Sequence, residues 1–392
     1  MSLANLRSFL AEEASALLQD HFGPGPGIQT VFVPGRVNLI GEHIDYYDLP
    51  VLPMAIGRGI CIAYRHRPDR KVCAVSNSQK TKAVFELSHH EKAPPGSWIN
   101  YLLAAEAVAG NGWIIETGID AAVASNLPSA AGLSSSSALL VGFTIALLRA
   151  NGVEPSIGEL MALLPEGEQF VGTRGGGMDH AAVLAGCPRC ALHIRFSPLQ
   201  LAPIPIPFDW RFLVAHSLTT AEKSGAVREK YNALRMAGTG ALQKLCLPSY
   251  AAALQNYENL PVENLGESER KVFRHVCKEA QRVGGAVEAL QANDFARFGS
   301  LLNQSHESLR DGLQISNDPV NTLVETVLQA GAEGARMTGA GFGGCVIALC
   351  HAHNIDSVQE ALRQRYYAKQ LDQFDSDNHL FIAEPSAGAL IE

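Results

Sequence analysis

The sequence has no apolar run long enough to cross a bilayer. Its best run, Ala138–Leu148, is far shorter than the roughly 20 residues of a membrane-spanning helix. An export signal is also absent, because Glu12, Glu13 and Asp20 interrupt the apolar residues near the N-terminus. Leucines in this region instead predict one face of an amphipathic helix. We therefore expect a cytoplasmic protein with no membrane contact.

An excess of basic residues is missing as well. Lys and Arg number 31 against 39 Asp and Glu, for a formal charge of -8, which argues against a nonspecific nucleic-acid binder. The eight cysteines are scattered in apolar surroundings and predict reduced thiols. Cys187 and Cys190 form a lone CxxC with no second pair for zinc, so we favour core packing over a metal or redox role.

The 392 residues are 47% hydrophobic and 18% charged, which excludes wholesale disorder and predicts two or three domains. Short β-rich runs fill the first half, and long helical segments follow a proline-rich stretch at 198–207. The pattern predicts an α+β protein of two domains, 1–198 and 199–392.

A segment rich in small residues, 126–137, joins a predicted strand to a predicted helix. It ends in four consecutive serines, Ser134 to Ser137, which exceed what capping a helix needs. Backbone N–H groups and the helix dipole favour an anion here, so we predict a phosphate site. A Walker A loop is excluded because Gly-Lys-Ser/Thr is absent.

Two further glycine clusters leave alternatives open. Gly339–Gly344 formally fits G-x-G-x-x-G, but a helical stretch is predicted before it and a strand, Cys345–Leu349, after it. That order is the reverse of a dinucleotide fingerprint, so the loop either contacts a ligand or another loop, or is a tight turn. Gly175–Gly177 precedes Asp179, which is either a helix cap or a carboxylate that aligns a hydroxyl nucleophile.

A polar cluster lies between apolar strands at 34–47. Glu42, His43 and Asp45 together offer the acceptors and donors that adjacent sugar hydroxyls require. Arg36 is placed to neutralise a nearby carboxylate or a phosphate. A zinc site at Glu42 and His43 lacks a third ligand.

Together these segments resemble the galactokinase branch of the GHMP kinase superfamily. Residues 34–45 are similar to the galactokinase signature, 128–138 to the phosphate-binding motif and 337–344 to the C-terminal glycine motif, with Gly175–Asp179 a fourth match. The resemblance implies an N-terminal domain like ribosomal protein S5 domain 2, a ferredoxin-like C-terminal domain and an active site between them.

The same resemblance implies the site residues. Asp179 is the catalytic carboxylate with Arg36 as its partner, and Ser136 and Glu168 are Mg²⁺ ligands. Sugar contacts are implied for Glu42, His43, Asp45 and Gly176. Nucleotide contacts are implied for Gly132, Ser134, Ser135, Ser136 and Ser137.

The implied activity is that of an ATP-dependent sugar 1-kinase, with galactose the first candidate acceptor. ATP and the sugar are the expected partners, and no obligate protein partner is expected. The sequence departs from the usual family pattern at Ile44, Ala130 and His180, and a sugar-contacting tyrosine has no clear match in 219–227. N-acetylgalactosamine or a related sugar, or a silent sugar and ATP sensor, are the alternatives.

Overall fold

The computed structural model describes residues 3–88, 91–128, 131–172, 175–219 and 226–391. Strands, numbered in chain order, are β1 (Gln29–Ile40), β2 (Leu52–His66), β3 (Lys71–Ser76), β4 (Ala83–Glu86), β5 (Ile119–Ser125), β6 (Cys190–Phe196), β7 (Leu199–Pro205), β8 (Trp210–His216), β9 (Gly334–Met337), β10 (Cys345–His351) and β11 (Leu380–Ile382). Helices are α1 (Leu3–Phe22), α2 (Ile99–Gly112), α3 (Ser135–Ala150), α4 (Ile157–Phe170), α5 (Met178–Ala185), α6 (Ala226–Lys244), α7 (Tyr250–Gln255), α8 (Glu267–Ala292), α9 (Phe295–Glu307), α10 (Asp318–Gln329), α11 (Ile355–Arg365) and α12 (Ser376–His379).

A five-stranded sheet in the order β1-β2-β5-β3-β4 forms the N-terminal half. Helix α1 covers one face through Leu10, Ala14 and Leu18, which are buried against small residues of β2 and β5. This confirms the predicted amphipathic helix. The opposite face carries α3, which is buried along most of its length because its sequence is apolar on nearly every side.

The C-terminal half contains an antiparallel sheet in the order β11-β8-β10-β9. Helices α9 and α10 pack against its strands. Between the two sheets, β6 and β7 pair as a hairpin whose turn lies at residues 197 and 198. The predicted division between residues 198 and 199 coincides with this turn and stays a prediction.

The α+β class is confirmed, and most differences from the expected elements concern length. Strand β1 continues to Ile40, through irregular pairing with β2, into residues expected as a polar loop. Helix α4 continues through Pro165 to Phe170, although proline usually interrupts a helix. Helix α6, which begins where described at Ala226 and runs to Lys244, is one of the long helical segments expected after the proline-rich stretch.

One expected element was wrong in type. The glycine loop at 339–344 follows a strand, β9, where a helical stretch was expected. Strands β9 and β10 pair antiparallel on either side of the loop. A dinucleotide fingerprint is still excluded, because the loop leads into a strand and not into a helix.

Each helix in the described ranges is too short or too polar to span a membrane. All eight cysteines lie in those ranges, and each is an unpaired thiol. Four of them are buried, three are partly buried and Cys246 is exposed. Within the described residues, no three or more His, Cys, Asp or Glu side chains cluster where they could hold a metal ion.

Candidate active site

The centre of the site is the carboxylate of Asp179, at the first turn of α5. Arg36 on β1 donates from Nε and Nη2 to its Oδ1 at 2.8 and 2.6 Å. Ser134 donates from Oγ to its Oδ2 at 2.6 Å. Arg36 is 143 positions from Asp179 along the chain and Ser134 is 45 positions away, and together they bind both carboxylate oxygens. Asp179 is therefore more than a helix cap.

Arg36 reaches this position because β1 is irregular beside it. The pairing of β1 with β2 shifts between Pro34 and Arg36, and such irregularities redirect a side chain. Gly35 packs so closely against Leu127 and the Leu133 carbonyl that a Cβ would overlap them. The Arg36 N–H donates to that same carbonyl at 3.2 Å.

The guanidinium of Arg36 is almost completely buried, and its remaining Nη1 donates to the Gly132 carbonyl at 2.6 Å. Burial alone would lower its pKa, but the charges of Asp179, Glu42 and Asp45 outweigh that effect and raise the pKa. Arg36 is therefore a permanent cation facing a group of carboxylates.

Asp45 lies in a short 3₁₀ turn and faces the glycine cluster before α5. The Met178 N–H hydrogen-bonds its carboxylate, and Gly176 lies so close that a Cβ there would overlap the carboxylate. Burial, followed by the charges of Asp179, Glu42 and Glu168, raises the pKa of Asp45 to about 7. The structure therefore brings Asp45 and Gly176 together.

His43 and Glu42 contact the C-terminal glycine loop. The His43 ring accepts at Nδ1 from the Tyr46 hydroxyl at 2.9 Å and donates at Nε2 to the Ala340 carbonyl at 3.2 Å, since a carbonyl only accepts. Burial lowers the pKa of His43 to about 3, so the ring is neutral. Glu42 accepts from the Gly339 N–H at 2.7 Å.

The two glycine-rich loops pack directly against each other. A Cβ on Gly339 would lie 2.9 Å from the Gly132 carbonyl oxygen, and a Cβ on Gly132 would lie 3.1 Å from the Thr338 oxygen. Both glycines have positive φ, at 89° and 76°, which other residues adopt rarely. Of the alternatives for 339–344, contact with another loop is confirmed.

Glu168 approaches the centre from α4. It accepts from Ser137 at 3.0 Å, and Ser137 also lies 3.5 Å from Oδ2 of Asp179. The neighbouring Ser135 and Ser136 face a cavity instead, so among the four serines the contact with Glu168 comes from Ser137. His180, which is fully buried, lies with Nε2 3.7 Å from Glu168.

That cavity measures about 370 Å³ and lies over the N-terminus of α3. Its walls combine Gly132 and Ser134 to Ser136 with the aromatic rings of Trp98 and Tyr101 and the aliphatic Leu127 and Leu139. Helix α3 has 16 residues, so its N-terminal dipole and N–H groups favour an anion at this end. One end of the cavity therefore suits phosphate and the other a flat apolar ring.

One residue of the site was missed by the sequence reasoning. Tyr231 on α6 packs against His43 and Tyr46, with ring centroids 5.1 and 5.7 Å apart. Burial, followed by the charges of Asp45, Glu168, Asp179 and Glu42, raises its pKa well above the ordinary value. It lies four residues beyond the segment 219–227 in which a tyrosine was sought, and 220–225 lie outside the described residues.

Three family models match the chain. The galactokinase galactose-binding signature matches residues 16–66, the GHMP kinases N terminal domain matches 100–187, and the GHMP kinases C terminal model matches 286–368. Arg36, Glu42, His43 and Asp45 fall within the first match, and Asp179 within the second.

Curated relatives and solved structures agree with these matches. The chain is 35% identical over 359 residues to a galactokinase of Roseiflexus sp. (strain RS-1), covering 89% of this chain and 90% of the relative. A galactokinase of Chloroflexus aggregans is also 35% identical, over 90% and 91% of the two chains. The crystal structure of Lactococcus lactis galactokinase complexed with galactose superposes with a TM-score of 0.87 at 28% identity, over 98% and 99% of the chains.

A mevalonate kinase of Methanococcus jannaschii, 19% identical over 93% of this chain and all of that one, has a TM-score of 0.63 and shares the fold. The chain belongs to the galactokinase family of the GHMP kinases, and the fold expected from the resemblance is confirmed.

Proposed function

We propose that this member of the galactokinase family transfers the γ-phosphoryl group of ATP to the anomeric hydroxyl of galactose, giving galactose 1-phosphate and ADP. The observation that carries the proposal is the Asp179 carboxylate held between Arg36 and Ser134. It lies where the galactose-binding signature meets the serine-lined helix end. The names of the curated relatives support galactose as the acceptor.

In this proposal Asp179 is the catalytic carboxylate. Its Oδ2, already at 2.6 Å from the Ser134 hydroxyl, accepts or orients the proton of the attacking hydroxyl. Arg36 keeps the carboxylate ionised through its charge and fixes its plane through Oδ1. Phosphoryl transfer depends mainly on positioning and on charge stabilisation, which these contacts supply.

The sugar is assigned to the carboxylate-lined side of the site. Glu42 and Asp45 offer acceptors to ring hydroxyls. Neutral His43, which is bonded to Tyr46 and Ala340, lines the same side, and Gly176 leaves room for the Asp45 carboxylate. We add Tyr231, whose hydroxyl lies near the same carboxylates. A neutral polyol suits this side, because its hydroxyl hydrogens satisfy buried carboxylate oxygens.

The nucleotide is assigned to the cavity of about 370 Å³. Gly132 and the serines Ser134, Ser135, Ser136 and Ser137 line the end where the α3 dipole favours phosphates. Trp98 and Tyr101 supply faces on which an adenine ring can stack, since aromatic rings pair in offset or edge arrangements.

Ser136 and Glu168 are the proposed magnesium ligands. The donors fit, since carboxylate and hydroxyl oxygens are the ligands Mg²⁺ prefers beside phosphates. Glu168 is one of four carboxylates around the site, with Glu42, Asp45 and Asp179, so a cation at its oxygens is favoured electrostatically. Ser137, which donates to Glu168, is the adjacent hydroxyl. When bound, the ion would neutralise phosphate charge during transfer.

The domain division between residues 198 and 199, and a cytoplasmic location, remain parts of the proposal. The eight unpaired thiols support a reducing compartment.

An ADP-release assay with ATP and Mg²⁺ tests the function across galactose, N-acetylgalactosamine, glucose, arabinose and galacturonate. We expect galactose to give the highest kcat/KM and galactose 1-phosphate as product. Asp179→Asn is the control for contaminating kinases: it keeps an acceptor for Arg36, so ATP should bind within about threefold while turnover falls at least about 1000-fold. Near-normal turnover in the variant would remove Asp179 from its role, and sugar binding without ADP release would favour a sensor.

A further inference from the structure

Buried charged residues of the C-terminal half hydrogen-bond to segment 38–42, which leads into the residues assigned to the sugar. These residues lie on α8 and β9 and at the end of α9. None of them faces the cavity assigned to the nucleotide, and the proposed chemistry does not use them. Their contacts nevertheless converge on Glu42 and its neighbours.

Arg336 on β9 is completely buried. Its Nη1 donates to the Asn38 and Leu39 carbonyls at 2.9 and 3.1 Å and lies 3.5 Å from Oε1 of Glu42. Its Nε donates to Ser305 at 3.1 Å. One guanidinium therefore fixes the strand end of the sugar segment and one carboxylate of the site.

Glu279 on α8 is also completely buried and continues this network. Its Oε1 accepts from the Gly41 N–H at 3.0 Å and from the Ser305 hydroxyl at 2.7 Å. Its Oε2 accepts from Nε of Arg282 at 2.7 Å. Despite the cost of burial, the charges of Arg282 and Arg336, with a hydrogen bond from Ser305, lower its pKa to about 2, so it is ionised.

His275, one helical turn before Glu279, holds the backbone of Glu42. Its Nε2 donates to the Glu42 carbonyl at 3.0 Å, and its Nδ1 accepts from Ser308 at 2.8 Å. Three different side chains therefore hold this part of the chain. His275 binds the Glu42 carbonyl, Arg336 lies beside the Glu42 carboxylate, and Glu279 binds the Gly41 N–H.

Stability alone is a weak reason for such a network. Burying charged groups costs several kcal/mol per ion, and replacing a buried ion pair by apolar residues is often neutral or stabilising. Nη2 of Arg336 even lacks a hydrogen-bond partner among the described residues, which adds to the cost. The contacts instead hold the backbone of segment 38–42 in one position through several directional hydrogen bonds.

We propose that Arg336 and Glu279, linked through Ser305, are positioning residues that hold segment 38–42 so that Glu42 and Asp45 meet the sugar. The role is indirect, since neither side chain touches the reacting atoms. The inference builds on the proposed sugar kinase function.

Two variants test it, with a third as control. Glu279→Gln keeps the size but loses the charge, and Arg336→Lys keeps the charge but not the fork that spans Ser305 and the carbonyls. We expect each to raise the KM for galactose at least about tenfold while the KM for ATP stays within about twofold. Asp120→Asn breaks another buried pair, with Arg65 and Arg67, about 30 Å along β2 from the site.

The control variant should lower the thermal midpoint and leave both KM values within about twofold. A galactose KM that stays within about twofold in both network variants would overturn the inference while leaving the kinase function intact. Hydrogen exchange tests the positioning role without relying on enzyme activity. Exchange of amides 38–46 in the ligand-free protein should quicken at least about tenfold in Glu279→Gln but not in Asp120→Asn; unchanged exchange would also overturn it, even if the wild type phosphorylated no sugar.

Discussion

Asp45 should make the stability of the ligand-free protein depend on pH, and Asp45→Asn should remove that dependence. The carboxyl is only 8% exposed, and burial together with Asp179, Glu42 and Glu168 raises its pKa from 3.8 to about 7. Because the folded state holds the proton more tightly than the unfolded chain, the contribution of Asp45 is full below about pH 4 and is lost as the pH rises through about 7.

The size of the stability change follows from the difference between the pKa of Asp45 in the unfolded and folded states. A carboxyl whose pKa rises from 3.8 to about 7 costs the folded protein up to about 4 kcal/mol once it is ionised. Asparagine has the same shape, keeps an acceptor for the Met178 N–H and does not ionise. We therefore expect the stability advantage of Asp45→Asn over the wild type to grow by roughly 2–3 kcal/mol between pH 5 and pH 8.

Urea unfolding at pH 5, 6, 7 and 8, in EDTA and without sugar or nucleotide, measures this difference. Asp48→Asn is the matched control, since Asp48 lies in the same turn but is exposed. A stability difference between Asp45→Asn and the wild type that is equal at pH 5 and pH 8 would refute the reasoning.

Three further substitutions address the proposed contacts. Tyr231→Phe removes a hydroxyl facing the carboxylates and should raise the KM for galactose about tenfold; Tyr47→Phe, whose hydroxyl donates to the Leu234 and Arg235 carbonyls, should leave it unchanged, and equal effects would contradict the assignment. Gly176→Ala places a Cβ against Asp45 and should raise the galactose KM more than the ATP KM in initial-rate assays; a selective ATP effect would place the sugar elsewhere. Glu168→Gln should raise the Mg²⁺ concentration for half-maximal rate at least about tenfold, whereas the exposed Glu166→Gln on the same helix should not, and an unchanged requirement would remove Glu168 as a ligand.

Local sequence patterns identified many of the candidate site residues, but they could not predict which distant residues would contact each other. Arg36 and Asp179 were paired through family resemblance, because nothing in either segment encodes a contact across 143 positions. Tyr231 has no local signature: it lies on an ordinary helix, and only packing against His43 brings it to the site. Glu168 was also assigned through family resemblance, and the structure places it on α4 three residues after Pro165, a residue type that usually stops a helix.

The network behind the sugar segment was invisible for a related reason. Arg336 lies on β9, where a helical stretch was expected, and Glu279 lies on another element, α8, so no local pattern joins the two residues. A charged residue on a helix is normally a solvated one, and the structure alone shows that these two are completely buried. Residues that act through others therefore need coordinates before they can be recognised.

The distribution of charge also supports the sides proposed for the sugar and the nucleotide. The carboxyls of Glu42, Asp45 and Asp179 disfavour a triphosphate on the side proposed for the sugar and offer acceptors to the hydroxyl hydrogens of a neutral sugar. The end of α3 presents uncharged serines and a helix dipole, which favour phosphates. Two carboxylates lie beside that end, Glu168 bonded to Ser137 and Asp179 bonded to Ser134. Because Arg36 already neutralises Asp179, a triphosphate there favours a cation at Glu168. The proposed magnesium position thus follows from electrostatics as well as from family resemblance.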